Sequence, residues 1–190
     1  MKNKQTIIFF LFLVVAFLQI ATPFALIRKH EAILKEGEIF KFRTAPIDPF
    51  DAFRGRYVAL RLEQDKVPMP EGMDLKGDRR IYASITTGED GCAMISGLSK
   101  DPPGDLPYMK VKVRYISGKD VFLDLPIDRY YMEEKAAKLA ETVYRTHSRA
   151  DKRDAYVVVR IKNGDAAIDK LYIGEKPIED VIREAAPLNK

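Results

Sequence analysis

Thr6 to Ile27 is an almost unbroken apolar run of 22 residues, with Gln19 as its notable interior polar side chain. About 20 such residues cross a bilayer as a helix, and a segment apolar on every side has no polar face to turn to water. The pattern predicts a membrane-spanning helix through residues 6–27. A cleaved export signal has an apolar core of about 7–15 residues followed by a small-x-small site. This run is longer, and both Ala21-Thr22-Pro23 and Pro23-Phe24-Ala25 put proline at a key cleavage position. The expectation is an uncleaved anchor. Glu31 and Lys35, spaced i,i+4, suit a further turn or two of helix, which Gly37 ends.

Beyond Gly37 the period changes from helical to alternating. Strands are expected over Glu38–Arg43 and over Tyr57–Glu63, where Val58, Leu60 and Leu62 share one side. Gln64–Arg79, with two prolines and two glycines, is expected to be a mobile surface loop. Three hairpins follow: Arg80–Thr86 with Cys92–Leu98, Lys110–Ile116 with Lys119–Leu125 around Ser117-Gly118, and Asp154–Lys162 with Ala166–Ile173 around Asn163-Gly164. Met132, Ala136, Leu139, Ala140, Val143 and Tyr144 form an apolar stripe at helical spacing. They predict a long helix from Tyr131 to about His147, with Asp128 as its N-cap. A short helix is expected over Pro177–Ala185. The fold class is therefore α+β: an N-terminal transmembrane helix, then one antiparallel β-rich domain of hairpins that could close into a barrel. It carries one long amphipathic helix and a short C-terminal one. Residues 1–29 form the anchor and residues 30–190 the domain.

The formal charge of +4 changes that picture little, because residues 1–29 hold four cations and no acid, leaving the domain neutral. A neutral domain has no field to gather phosphates, so nucleic acid is not an expected partner. A short positive leader, Lys2 and Lys4, before an apolar run is the usual export signature, and the domain is expected to be extracytoplasmic. Arg28, Lys29, Lys35, Lys41 and Arg43 argue the reverse under a simple charge count. The single cysteine, Cys92, excludes an intramolecular disulfide and a thiolate metal cage, and its apolar neighbours suggest a buried, inert thiol. The basic clusters Lys76–Arg80 and Arg145–Arg153 read as solvated faces, able to touch anionic lipid if the domain lies near headgroups.

The informative stretch is residues 46–57, Pro-Ile-Asp-Pro-Phe-Asp-Ala-Phe-Arg-Gly-Arg-Tyr. Pro46 and Pro49 stiffen the backbone. Gly55 tolerates unusual backbone angles just before a strand. Asp48, Asp51, Arg54 and Arg56 alternate with Phe50 and Phe53, and an Asp–Arg pair has the geometry for a bidentate contact. Asp48, Phe50, Asp51, Phe53, Arg54, Gly55, Arg56 and Tyr57 are the candidate binding residues. The competing reading is structural: Asp51 and Arg54 buckle the loop while Phe50 and Phe53 plug the core.

Gly55-Arg56-Tyr57-Val58-Ala59-Leu60-Arg61-Leu62, following Asp48, Asp51 and Arg54, resembles the GDYXXLXY protein family of bacteria. Gly55, Tyr57 and Leu60 match the motif, while Arg56 stands in place of its Asp and Leu62 in place of its final Tyr. The resemblance extends in outline over the anchor, Leu34–Gly37, residues 46–63 and Tyr130–Glu141. It implies an N-terminal membrane segment, a domain of about this size and association with polytopic membrane proteins. It supplies no catalytic residue.

Established chemistries find little purchase. The two histidines, His30 and His147, are isolated, so no metal site is expected. Ser96, Ser99 and Ser117 lack the context of a nucleophile, Gly88-Glu89-Asp90-Gly91 is acidic and reads as a turn, and no cofactor motif is present. Two functions remain. One is a membrane-anchored accessory domain that uses the 46–57 loop to dock on an integral membrane protein. The other is an extracytoplasmic hydrolase that uses Asp48 or Asp51 with Arg54.

Overall fold

The computed structural model describes residues 2–45, 57–73, 75, 80–148 and 152–185. The chain opens with α1 (Lys2–Glu36) and runs through β1 (Glu38–Ala45), β2 (Tyr57–Ala59), β3 (Arg61–Leu62), β4 (Lys66–Pro68), β5 (Arg80–Thr87), β6 (Ala93–Ser99), β7 (Tyr108–Ser117), β8 (Asp120–Asp124) and β9 (Arg129–Tyr131). Then follow α2 (Glu134–His147), β10 (Ala155–Lys162), β11 (Asp165–Ile173), β12 (Lys176–Pro177) and α3 (Ile178–Ala185).

Helix α1 is continuous and is long and apolar enough to cross a membrane. Its apolar side chains face outward; Phe17 and Ile20 are 71% and 73% exposed. Only near its C-terminal end does it meet the rest of the chain, where Ile33 is buried against the β-structure. Gly37 stops the helix, its N–H donating to the Ile33 carbonyl at 2.9 Å, and β1 begins at the next residue.

Strand β1 then alternates, burying Phe40, Phe42 and Thr44. It pairs antiparallel with β10 through Glu38–Arg43 and with β3 through Thr44 and Ala45. The first sheet has the order β12-β11-β10-β1-β3 and the second β4-β8-β7-β5-β6, with β2 and β9 forming a separate ribbon. The two sheets enclose one core, in which Val157, Val159 and Leu171 of the first meet Ile81, Val111, Val121 and Leu123 of the second. Each such side chain contributes about 1.5–3 kcal/mol by leaving water. The two sheets are tied to each other, because Met109 of β7 bridges Gly164 of the β10–β11 turn and the Lys110 N–H donates to the Gly164 carbonyl at 2.8 Å. Elsewhere Arg43 Nε of β1 meets Asp90 Oδ2 of the β5–β6 turn at 3.1 Å. The result is a nearly closed, barrel-like α+β fold.

The Asn163-Gly164 turn forms as expected, with φ of +53° and +78°. Other expectations need correction. Tyr57–Glu63 is two short strands, β2 and β3, which pair with different partners while Val58, Leu60 and Leu62 all stay buried. Gln64–Arg79 is not merely a surface loop: it holds β4, paired with β8, and it buries Val67 and Leu75. The β7–β8 turn is Gly118-Lys119, since Ser117 pairs with Asp120. Asp128 does not cap the long helix. Strand β9 intervenes, α2 starts at Glu134, and its N-cap Glu133 makes no side-chain capping bond. Within α2 the buried face runs through Ala137, Ala140 and Tyr144, leaving Leu139 38% exposed.

Gly164 is where the closure is tightest. A Cβ there would lie 2.4 Å from Tyr108 Cε2, at a φ that side chains rarely adopt. The left-handed backbone alone costs about 1–2 kcal/mol per residue. Gly164→Ala is expected to destabilise the full chain by about 2 kcal/mol or more, read as a lower denaturation midpoint in neutral detergent. An unchanged midpoint would contradict this account of the closure.

Candidate functional site

The 46–57 stretch enters the described structure only at its two ends. Asp48, Phe50, Asp51, Phe53, Arg54, Gly55 and Arg56 lie outside the described residues, and of the sequence candidates Tyr57 alone is placed. Both ends are fastened. On one side the Thr44 hydroxyl donates to the Ala155 carbonyl at 2.9 Å, and the buried Tyr144 hydroxyl donates to the Ala45 carbonyl at 3.2 Å. On the other, Tyr57 opens β2 and pairs with Tyr131 of β9, while the Leu60 N–H donates to the Asp128 carbonyl at 2.8 Å.

Strand β9 organises the surface at this root because successive side chains point to opposite faces. Tyr130 is half-buried, and its hydroxyl donates to the Glu179 carboxylate on α3. Arg129 and Tyr131 point outward. The Tyr131 ring lies 5.6 Å from the Tyr57 ring, tilted by 60°, and the Arg129 guanidinium sits 5.1 Å from the Tyr57 centroid. Tyr131 is 68% exposed, so the cluster is presented to solvent. Tyr131 and then the Asp128 carboxylate raise the Arg129 pKa above its ordinary value. Two aromatic faces and a guanidinium are well suited to hold a planar or anionic group of a partner.

Beside this cluster a cleft of about 430 Å³ opens between Leu60–Leu62, β7 and the segment after β8. Arg61, Lys110, Lys112 and Arg114 supply its cations, and Asp65, Asp124 and Asp128 its acids. Arg61 Nε pairs with Asp65 at 3.2 Å and Arg114 Nε with Asp124 at 2.6 Å. Lys110 reaches Asp165 at 3.3 Å, whereas Lys112 has no carboxylate partner among the described residues. The cleft favours an anion by charge. Among the described residues no group of three His, Cys, Asp or Glu side chains converges to hold a metal. His147 instead donates from Nδ1 to the Asp154 carboxylate at 2.9 Å, since a carboxylate can only accept. Cys92 is half-buried, not fully enclosed, and its N–H donates to Asp90 Oδ1 at 3.0 Å.

A sequence model described as GDYXXLXY protein matches residues 19–171. The chain belongs to the GDYXXLXY family. The match begins inside α1 and ends in β11, so it takes in the helix–domain junction, the second sheet and the first sheet short of β12. No curated protein and no solved structure matches the chain. In this GDYXXLXY protein the motif residues divide by role: Tyr57 joins the exposed cluster, whereas Leu60 and Leu62 are buried. Arg129 and Tyr131 were not singled out by the sequence, because their importance rests on the β2–β9 pairing. The one local signal was the Arg-Tyr-Tyr tripeptide ahead of α2.

Tyr130 gives this surface a pH signature. Burial first, then the Glu179 hydrogen bond and charge, push its pKa well above the ordinary value. The unfolded chain releases this proton near pH 10, whereas the folded chain retains it. The folded state therefore binds more protons there, and stability falls as pH rises through this window. Tyr130→Phe is expected to be less stable than wild type at pH 8, with the gap narrowing above about pH 10. Melting temperatures of both proteins across that range test this; a constant gap would contradict it.

Proposed function

We propose that this protein is a membrane-anchored accessory domain that docks on an integral membrane protein partner. Helix α1 crosses the bilayer, and the β-rich domain, residues 30–190, lies on the extracytoplasmic side, consistent with the short positive leader Lys2 and Lys4 before the apolar run. The observation that carries the reading is the exposed Tyr57–Arg129–Tyr131 cluster at the start of β2. Tyrosine and arginine are enriched among the residues that carry the binding energy of protein interfaces. This cluster is held in place by backbone pairing below it and by the Tyr130–Glu179 bond behind it.

The attachment of α1 supports the same reading. Lys29 pairs with Asp165 at 2.9 Å, and Lys162 pairs with Glu36. The helix therefore holds the domain close to the membrane face, within reach of the extramembrane loops of a neighbouring protein. The partner is approached in the plane of the bilayer, where two anchored proteins meet at high effective concentration.

A photoreactive side chain in place of Tyr131, activated in native membranes, is expected to give an adduct with an integral membrane protein. The same group in place of Glu175, on the β11–β12 turn, is expected to give none. Arg129→Ala is expected to weaken capture about fivefold or more in a protein whose melting temperature is unchanged. Equal labelling from the two positions, or capture indifferent to Arg129→Ala, would contradict the docking surface.

A further inference from the structure

A second surface lies where α1 leaves its apolar run. The 22 residues from Thr6 to Ile27 rise about 33 Å as a helix, close to the hydrocarbon thickness of a bilayer. Leu26 and Ile27 thus mark the level at which acyl chains give way to headgroups, and Arg28 is the first charge beyond it. At this level the fold leaves a groove of about 560 Å³ between α1, the β10–β11 turn and the segment after β8. Leu26, Ile27, Pro126 and Ala166 give the groove an apolar floor continuous with the outward-facing surface of α1.

Its rim is cationic in a specific way. The Asp165 carboxylate faces two ammonium groups, Lys29 at 2.9 Å and Lys110 at 3.3 Å. Two positive charges on one negative leave one cation uncompensated. Glu31 also lines the groove, and Lys35 meets it at 3.5 Å. Burial works to raise the Asp165 carboxyl, and hydrogen bonds from Lys29 and Lys110 with their charges outweigh it, so it stays below its ordinary value and ionised at neutral pH. Lys110 and Pro126 line both this groove and the cleft described above, so the headgroup end opens toward Lys112 and Arg114.

We infer that the groove holds one anionic phospholipid of the bilayer that α1 crosses, its acyl chain along Leu26 and Ile27 and its phosphate between Lys29 and Lys110. The apolar floor selects a lipid over a free phosphate, and the surplus cation selects an anionic headgroup over a zwitterionic one. The inference rests on α1 spanning a membrane, and it is independent of the partner-docking surface at Tyr57, Arg129 and Tyr131.

The test is native mass spectrometry of the full-length chain released from neutral detergent. Phosphatidylglycerol and phosphatidylcholine with identical acyl chains are supplied in equal amounts. The wild type is expected to retain a single phosphatidylglycerol, favoured about fivefold over phosphatidylcholine, the worth of one uncompensated lysine beside a phosphate. Lys29→Gln with Lys110→Gln is expected to abolish the preference, and Lys176→Gln, on β12 and outside the groove, to leave it unchanged. If the double variant fails to melt cooperatively, Lys110→Gln alone, its side chain at the exposed rim, is expected to reduce the preference. Equal retention by wild type, a preference that survives the groove substitutions, or an equal loss with Lys176→Gln would overturn the proposal. Alkaline extraction of native membranes separates the failures. A chain released into the supernatant overturns both the spanning reading and the lipid site, whereas a retained chain without lipid preference overturns the lipid site alone.

Discussion

The passage from α1 to β1 is the constraint on which the rest of the structure depends. Gly37 accepts no substitute easily: a Cβ there would sit 2.4 Å from the Ile33 carbonyl oxygen and 3.0 Å from Arg160 Cβ. The helix therefore closes its last turn on Ile33 and becomes a sheet strand without a linker. Because β1 lies between β10 and β3, that turn also sets the orientation of the first sheet relative to the helix axis. Ile33, Lys29 and Glu36 lie on one face of α1, where the buried Ile33 and the Lys29–Asp165 and Lys162–Glu36 pairs add side-chain contacts to the covalent junction. A helix joined in this way positions a domain, whereas a flexible tether would only confine it.

Apolar packing, and not charge, holds the domain together. Phe40, Phe42, Val157, Val159, Ile81 and Leu123 belong to one continuous cluster. The ion pairs lie mostly at the surface, as with Lys176–Glu184 and Arg183–Asp180, where each is worth about 0–1 kcal/mol. Charge matters instead where it is unbalanced: at Lys29 and Lys110 around Asp165, and at Lys112. These positions lie on the surfaces to which binding is assigned, so the neutral total of the domain conceals a local specialisation.

Local signals in the sequence were reliable where a few adjacent residues determine the geometry. The 22-residue apolar run, the stop at Gly37 and the Asn163-Gly164 hairpin all appear as the chain suggests. Legibility ended where a partner distant in sequence decides. Val67 becomes a buried strand residue only because β8 accepts β4 as its neighbour. Asp128 has the right residue type for a helix cap, but its backbone carbonyl is taken by Leu60 and the chain runs on as β9. The stripe on α2 was displaced toward Ala137 because that face meets α3 and β2. For the site, the sequence directed attention to residues 46–57, of which Tyr57 is described, while Arg129 and Tyr131 became visible only through strand pairing.

The central claim is that helix and domain move as one body about Gly37. Its most direct test is the distance distribution between spin labels at Arg28→Cys, on α1, and Lys170→Cys, on the exposed face of β11, in a Cys92→Ser chain reconstituted in vesicles. A rigid junction predicts a single narrow distance. A broad or multiply peaked distribution would show that the domain swings on its anchor, and would contradict the account.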